Sequence, residues 1–314
     1  MRWLPRLEAR RRGFSAANHR SRDPRRLRRS RAAPLLGPLL GTALALVPVL
    51  VAGGAHPTLA PAAREPGRLT VARPPALFRI VGCRSHGGPY RGGPARREVA
   101  LGFDDGPAAD TPAFLTMLER NHATATFFMI GRQISPVFRA MLRRELRDGD
   151  ALGDHTYSHP NLLLAGGVRG QLAEPLAAIR ALTGYAPCVF RPPYGAYDTS
   201  VVATARSLGL ATVMWNVDPT DWAQPGSGAI VRRVLAQVRP GSIVISHDGG
   251  GPRAQTLAAY PAIIAALHAR GYRLVTIPEL LGFRPVYVPC VRLCDGLGVA
   301  RARLPRDAIL ERAP

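Results

Sequence analysis

Two histidines, His155 and His159, stand four residues apart in Gly153-Asp154-His155-Thr156-Tyr157-Ser158-His159. On one turn of helix both imidazoles face the same way and can reach a single ion. A catalytic zinc takes three protein ligands and keeps a further position for water. A third ligand is therefore needed, and the best candidate carboxylate lies upstream in Val99-Ala100-Leu101-Gly102-Phe103-Asp104-Asp105-Gly106-Pro107. Alone, a His-x3-His pair is more often two polar residues on a helical turn, and Asp-Asp-Gly-Pro more often a plain turn. Three further clusters change that balance: Arg191-Pro192-Pro193-Tyr194-Gly195, Asp218-Pro219-Thr220-Asp221-Trp222 and Ile245-Ser246-His247.

The elements that must position these residues are legible as apolar runs. Strands are predicted at 99–101, 125–130, 151–153, 188–190, 211–217, 242–246 and 273–277. Helical patterns fall between them, at 112–121, 136–147, 168–182, 200–208, 230–238 and 257–269. Such alternation implies an α/β fold with a parallel sheet and right-handed crossovers. Every reactive cluster falls at the C-terminal end of a strand, the rim on which α/β barrels build active sites. A structural protein has no reason to gather these residue types on one rim, so the pattern points to an enzyme.

The chain has 314 residues, enough for one large domain with extensions. Its net charge is +21, and all 42 basic residues are arginine. Twelve of them crowd residues 1–31 against Glu8 and Asp23. No aromatic residues interleave these runs and no nucleic-acid-binding motif is present, so nucleic acid is not expected as a partner. The apolar run 34–53 (PLLGPLLGTALALVPVLVAG) explains the charge better. It is long enough to cross a bilayer, and a basic flank before it keeps the N-terminus cytoplasmic and exports the rest. The expected order is a basic cytoplasmic leader at 1–33, a signal peptide or membrane anchor at 34–53, and a Pro/Gly/Ala/Arg-rich linker at 54–96. The main domain follows at 97–284 and a C-terminal tail at 285–314. An uncleaved apolar run would make the membrane a partner. Cys83, Cys188, Cys290 and Cys294 allow up to two disulfides in an exported protein. A bridge from Cys83 to Cys290 or Cys294, joining the two ends of the domain, is the expected pairing.

With its five clusters assembled, the chain resembles the polysaccharide deacetylases, carbohydrate esterase family four with the NodB-homology domain. The resemblance runs from about Arg97 to Gly282 and carries the motifs GFDDGP, HTYSH, RPPYG, DPTDW and ISH in the family's order. It implies a distorted (β/α)7 barrel, in agreement with the seven strands counted above. It also implies Asp104 as general base and one divalent metal on Asp105, His155 and His159, with zinc favoured and cobalt or nickel as alternatives. Arg191 would pair with Asp104, and Tyr194 would offer its backbone N–H to the oxyanion. Asp221 would orient His247, the general acid, and Trp222 would line the pocket. The implied activity is removal of acetyl groups from N-acetylated sugars of an extracytoplasmic glycan, peptidoglycan or a chitin-like polymer. Deacetylation of O-acetylated xylan, another C–N hydrolysis and a non-catalytic carbohydrate-binding module are the alternatives. Gly102 departs from the family's usual Thr and is expected to loosen the first motif. Ile245 replaces the usual Leu, and Asp154 replaces the commoner Asn, which would add a charge beside His155. Arg120, His122, Cys188 and His268 are given no catalytic role.

Overall fold

The computed structural model describes residues 78–289 and the short strand Ile309–Leu310. Strand β2 (Glu98–Gly106), which pairs with three other strands, is buried along nearly its whole length. A strand buried on both faces must be covered on both by other elements, which suits a parallel sheet wrapped by helices. Six more strands complete that sheet: β3 (Thr126–Met129), β4 (Ala151–Asp154), β5 (Val189–Phe190), β6 (Ala211–Thr212), β7 (Ser242–His247) and β8 (Arg273–Val275). Their order is β6-β5-β4-β3-β2-β7, and β8 pairs with β2. All these pairings are parallel. β8 joins the beginning of β2 and β3 its end. Beyond β6, Val217 makes a parallel bridge to Val244 of β7, so the two ends of the curled sheet meet at one residue. This is the distorted (β/α)7 barrel that the sequence implies.

Helices α1 (Thr111–Arg120), α2 (Arg139–Asp148), α3 (Val168–Thr183), α4 (Thr199–Ser207), α5 (Ser227–Gln237), α6 (Ala254–Ala269) and α7 (Ile277–Leu280) lie between and after the strands. Their ends carry local stop signals: α2 closes on Gly149 at φ 99 and α3 on Gly184 at φ 75, where glycine alone is free of a Cβ penalty. α4 begins at Asp198, whose carboxylate accepts from the Val201 N–H. The core is centred on Phe103, which packs against Phe114, Phe127 and Tyr260 at centroid distances of 5.1, 5.4 and 4.8 Å. Each such ring contributes about 2–3 kcal/mol by leaving water.

Three expectations need correction. The predicted strand at 211–217 is only two residues long, because the chain leaves the sheet after Thr212 to reach the far side at Val217. The linker assigned to 54–96 is structured at its end: Phe78–Arg84 forms β1, antiparallel to β9 (Arg284–Pro289), at the start of the assigned tail. A last strand, β10 (Ile309–Leu310), runs parallel to β9. The disulfide is also not the expected one. Cys83 on β1 bonds to Cys188, which directly precedes β5, at a sequence separation of 105. It stitches the N-terminal strand to the barrel wall; closing a loop of that length is worth about 4–5 kcal/mol in the chain-entropy view. Cys290 and Cys294, the leader and the apolar run 34–53 lie outside the described residues. Among the described residues no helix is long and apolar enough to cross a membrane.

Candidate metal centre and active site

Seven of the nine residues singled out from the sequence fall at or within a few residues of the C-terminal ends of strands, and Asp221 and Trp222 lie on a 3-10 turn well beyond β6. Asp104 and Asp105 end β2, His155 follows β4, Arg191 follows β5, and His247 ends β7. β2 carries a bulge at the two adjacent aspartates: Asp104 pairs with Phe128 and Gly106 with Met129, leaving Asp105 as the extra residue. Its φ of 74° lies in the left-handed region, and Asp105 Oδ1 and Asp104 Oδ2 lie 3.5 and 3.9 Å from the same His155 Nε2. Strict alternation would send neighbouring side chains to opposite faces of the sheet, and the bulge lets both carboxylates approach one imidazole.

Nor do the histidines sit on a helical turn. Residues 155–159 form an irregular bend with Thr156 at φ 67 and His159 at φ 61. Asp154 Oδ1 accepts from the Thr156 N–H at 2.7 Å, and Thr156 Oγ1 accepts from the His159 N–H at 3.0 Å. This local bonding replaces the helix and still aims both Nε2 atoms at Asp105. Oδ1 of Asp105 lies 3.5 Å from His155 Nε2 and 3.2 Å from His159 Nε2. A tetrahedral zinc with ordinary bond lengths separates its ligand atoms by about 3.3 Å.

The donor chemistry supports an ion at this point. His155 Nδ1 lies 2.7 Å from the Arg191 carbonyl, which can only accept, so Nδ1 carries a proton. In the neutral ring Nε2 then presents a lone pair toward a carboxylate oxygen, an arrangement that needs a cation between them. Asp105 Oδ1 is accordingly buried without a hydrogen-bond partner. Asp105, His155 and His159 are the one group of side chains among the described residues placed so that they could hold a metal ion. Their donor set, two imidazoles and a carboxylate, fits a divalent transition-metal ion.

Asp104 is buried, and its Oδ1 accepts from Arg191 Nη1 at 2.7 Å. The guanidinium is fully buried and lies 4.1 Å from the Phe128 ring centre. Gly102 makes room for it, since a Cβ at that position would come within 2.6 Å of Nη1. The expectation that Gly102 loosens the first motif is thus corrected: its missing side chain lets the arginine pack. The expectation for Asp154 is corrected too. It is wholly enclosed, its Oδ1 is occupied by the Thr156 N–H, and burial pushes its carboxyl well above the usual range.

The other half of the site is built around β7. His247 is the register partner of Asp104 on the neighbouring strand, so the two side chains share a face. Asp221 Oδ1 sits 2.9 Å from His247 Nδ1, and Asp221 Oδ2 accepts from the His247 N–H at 3.0 Å and from Thr256 Oγ1 at 2.9 Å. Burial works to lower the His247 pKa, but the Asp221 hydrogen bond and charge, with Asp104 and Asp105 behind them, raise it above its ordinary value. Tyr194, in a left-handed bend at φ 59, is 71% exposed and places its hydroxyl 3.2 Å from His159 Nδ1. Trp222 follows Asp221 on the same 3-10 turn and is 58% exposed. Sequence reasoning passed over Thr256, Gln133 and Asp248. Of these only Asp248 carried a signal, by directly following the histidine of the fifth motif.

A family model described as polysaccharide deacetylase matches residues 91–213. A chitooligosaccharide deacetylase from Sinorhizobium fredii is 40% identical over 203 residues, covering 60% of this chain and 94% of the relative. The chain belongs to the polysaccharide deacetylase family. It is a hydrolase acting on carbon–nitrogen bonds of glycans. A peptidoglycan-N-acetylglucosamine deacetylase from Bacillus cereus is 38% identical over 195 residues, 59% of this chain and 89% of the relative. Among solved structures, the Bc1960 peptidoglycan N-acetylglucosamine deacetylase superposes with a TM-score of 0.59 at 33% identity, covering 65% of this chain and 94% of that one. A family pseudoenzyme from Bacillus anthracis superposes almost as well, with a TM-score of 0.57 at 30% identity over 63% of this chain and 69% of its own. The fold therefore does not by itself establish catalysis; the residues on the rim must.

Proposed function

We propose that this deacetylase removes acetyl from N-acetylglucosamine units of an extracytoplasmic glycan, peptidoglycan or a chitin-like polymer. The observation that carries the reading is the Asp104–His247 register pair. It places a carboxylate held by Arg191 beside an imidazole kept protonated by Asp221. Amide hydrolysis needs both: a base for the attacking water and an acid for the departing amine. A divalent ion on Asp105, His155 and His159, zinc in preference to cobalt or nickel, would supply Lewis-acid activation of the water and the acetyl carbonyl. Asp104 Oδ2, left free by the arginine on Oδ1, takes the proton of the attacking water. Arg191 keeps that carboxylate ionised and fixed, and removing either partner of such a buried pair costs about 3–5 kcal/mol. The Tyr194 backbone N–H donates to the developing oxyanion. His247 then delivers its proton to the sugar nitrogen as the C–N bond breaks, steadied by Asp221. Trp222 and the Tyr194 ring give the sugar an apolar edge to rest on.

The names of the relatives support the substrate class, two of them acting on chitooligosaccharide and on peptidoglycan N-acetylglucosamine. The basic leader and apolar run support export to the compartment where such glycans lie. Acetate release from N-acetylglucosamine oligomers, peptidoglycan and O-acetylated xylan tests the reading. Release from the first or second is expected; release from xylan alone, or from none, would reject it.

A further inference from the structure

The carboxylate ligand and the two histidine ligands come from different strands, so something must set the distance between them. A three-residue 3-10 turn after β3, Gly131–Gln133, touches both. On one side its backbone N–H groups at Gly131 and Arg132 donate to the carbonyls of Thr156 and Tyr157, at 2.9 Å each, inside the histidine bend. On the other, the Gln133 side-chain amide donates to the carbonyl of Asp105 at 2.8 Å and to that of Gly106 at 3.2 Å. Two carbonyl acceptors admit only the NH₂ end of the amide, which fixes its orientation.

The Asp105 peptide needs such support. A non-glycine residue at φ 74 lies in a costly region and persists only where its surroundings over-determine it. The Gly249 backbone runs close beside it: a Cβ at Gly249 would come within 2.1 Å of the Asp105 carbonyl oxygen. The Ile130 N–H donates to the Gly106 carbonyl at 2.8 Å, and among the described residues Gln133 is the one side chain that donates to the Asp105 carbonyl.

We propose that Gln133 is a positioning residue for the metal centre, joining the Asp105 bulge to the His155–His159 bend through one rigid turn. It touches neither substrate nor the reacting atoms. It acts by holding Asp105 Oδ1 at ligand distance from both imidazoles. The proposal rests on the reading of Asp105, His155 and His159 as metal ligands.

Gln133→Met keeps the length and bulk of the side chain and removes the donor. Gln133→Glu keeps the shape and sets an acceptor against two carbonyls. Zinc affinity measured by competition with a chromophoric chelator should fall roughly 10–100-fold in both, the range found for groups that orient metal ligands. The visible spectrum of the cobalt-substituted protein should change in band position and intensity, while the metal-free variants melt close to the metal-free wild type. Unchanged affinity and cobalt spectrum in Gln133→Met would overturn the proposal. If that variant fails to fold, Gln133→Glu decides by the same two readouts. Asp105→Ala separates the two levels. A wild type that binds no ion, or an Asp105→Ala protein that binds as well as wild type, would sink the metal reading and this proposal with it. Loss of binding in Asp105→Ala with none in Gln133→Met would sink the proposal alone.

Discussion

The two halves of the active site are held in opposite ways. On the β2–β4 side, Asp105, Thr156 and His159 all have left-handed backbones, and Asp105 Oδ1 is buried without a hydrogen-bond donor. On the β7 side, His247 ends a regular strand, and both oxygens of Asp221 are satisfied by His247 and Thr256. The first half is incomplete as protein alone, and the proposed cation would complete it. The second is self-contained, its charge balanced by neighbours that the fold supplies. A ligand set therefore reveals itself by strain and orphaned atoms, and a proton donor by a closed set of hydrogen bonds.

That contrast can be broken most easily at the metal half. Asp105→Ala or His155→Ala should abolish zinc binding and lower kcat/KM by roughly 10³-fold or more, since Lewis-acid stabilisation is worth several kcal/mol. Circular dichroism should stay native. Variants that keep both metal and rate would erase the distinction between the halves.

The acid half is tested with two leaving groups. His247→Ala should lose ~10² or more on an N-acetylated sugar and far less on a nitrophenyl acetate, whose leaving phenolate needs no proton. Asp104→Asn should damage both, because both need the water activated. Equal losses for His247→Ala on amide and ester would assign His247 to binding or structure.

A smaller effect sharpens the role of Asp221. His247 is active when protonated, and the Asp221 hydrogen bond and charge outweigh burial to raise its pKa. Activity should thus persist above the ordinary histidine pKa and fall as pH rises through the raised one. Asp221→Asn should move that alkaline limb of kcat/KM to lower pH; an unmoved limb would detach it from His247.

The smallest effect lies outside both halves. Glu145 on α2 is fully buried, and neither of its carboxylate oxygens has a hydrogen-bond partner. Burial, with Asp248 and Asp150 adding to it, pushes its carboxyl well above the usual range. The folded state then holds a proton that the unfolded state releases above its lower pKa, so stability falls as pH rises from that value toward the raised one. Glu145→Met should add about 1–3 kcal/mol and flatten this decline, with kcat/KM unchanged. Urea denaturation at pH 5 and pH 8 would show it, and a destabilised variant would refute it.

How much of this was legible follows the same physics. The seven strands and the rim of clusters were readable because buried parallel strands are continuous apolar runs and each ends where its polar residues begin. The aim of Asp105 was not, since a bulge depends on the pairing of β2 with β3, which no local pattern records. The His155–His159 bend was misread as helix because His-x3-His satisfies that period while Asp154 and Thr156 bond the backbone into another shape. The Cys83–Cys188 pairing was hidden because β1 looked like linker until β9 was present to pair with it. Gln133 was invisible, since a glutamine that bonds only backbone carbonyls leaves no chemical signature in sequence.

The most direct test of the central contrast is to strip divalent ions from the purified protein and follow acetate release from N-acetylglucosamine oligomers. The chelated protein should remain folded and release no acetate, and one equivalent of zinc per chain should restore the rate. Full activity in protein shown by elemental analysis to hold no metal would contradict it.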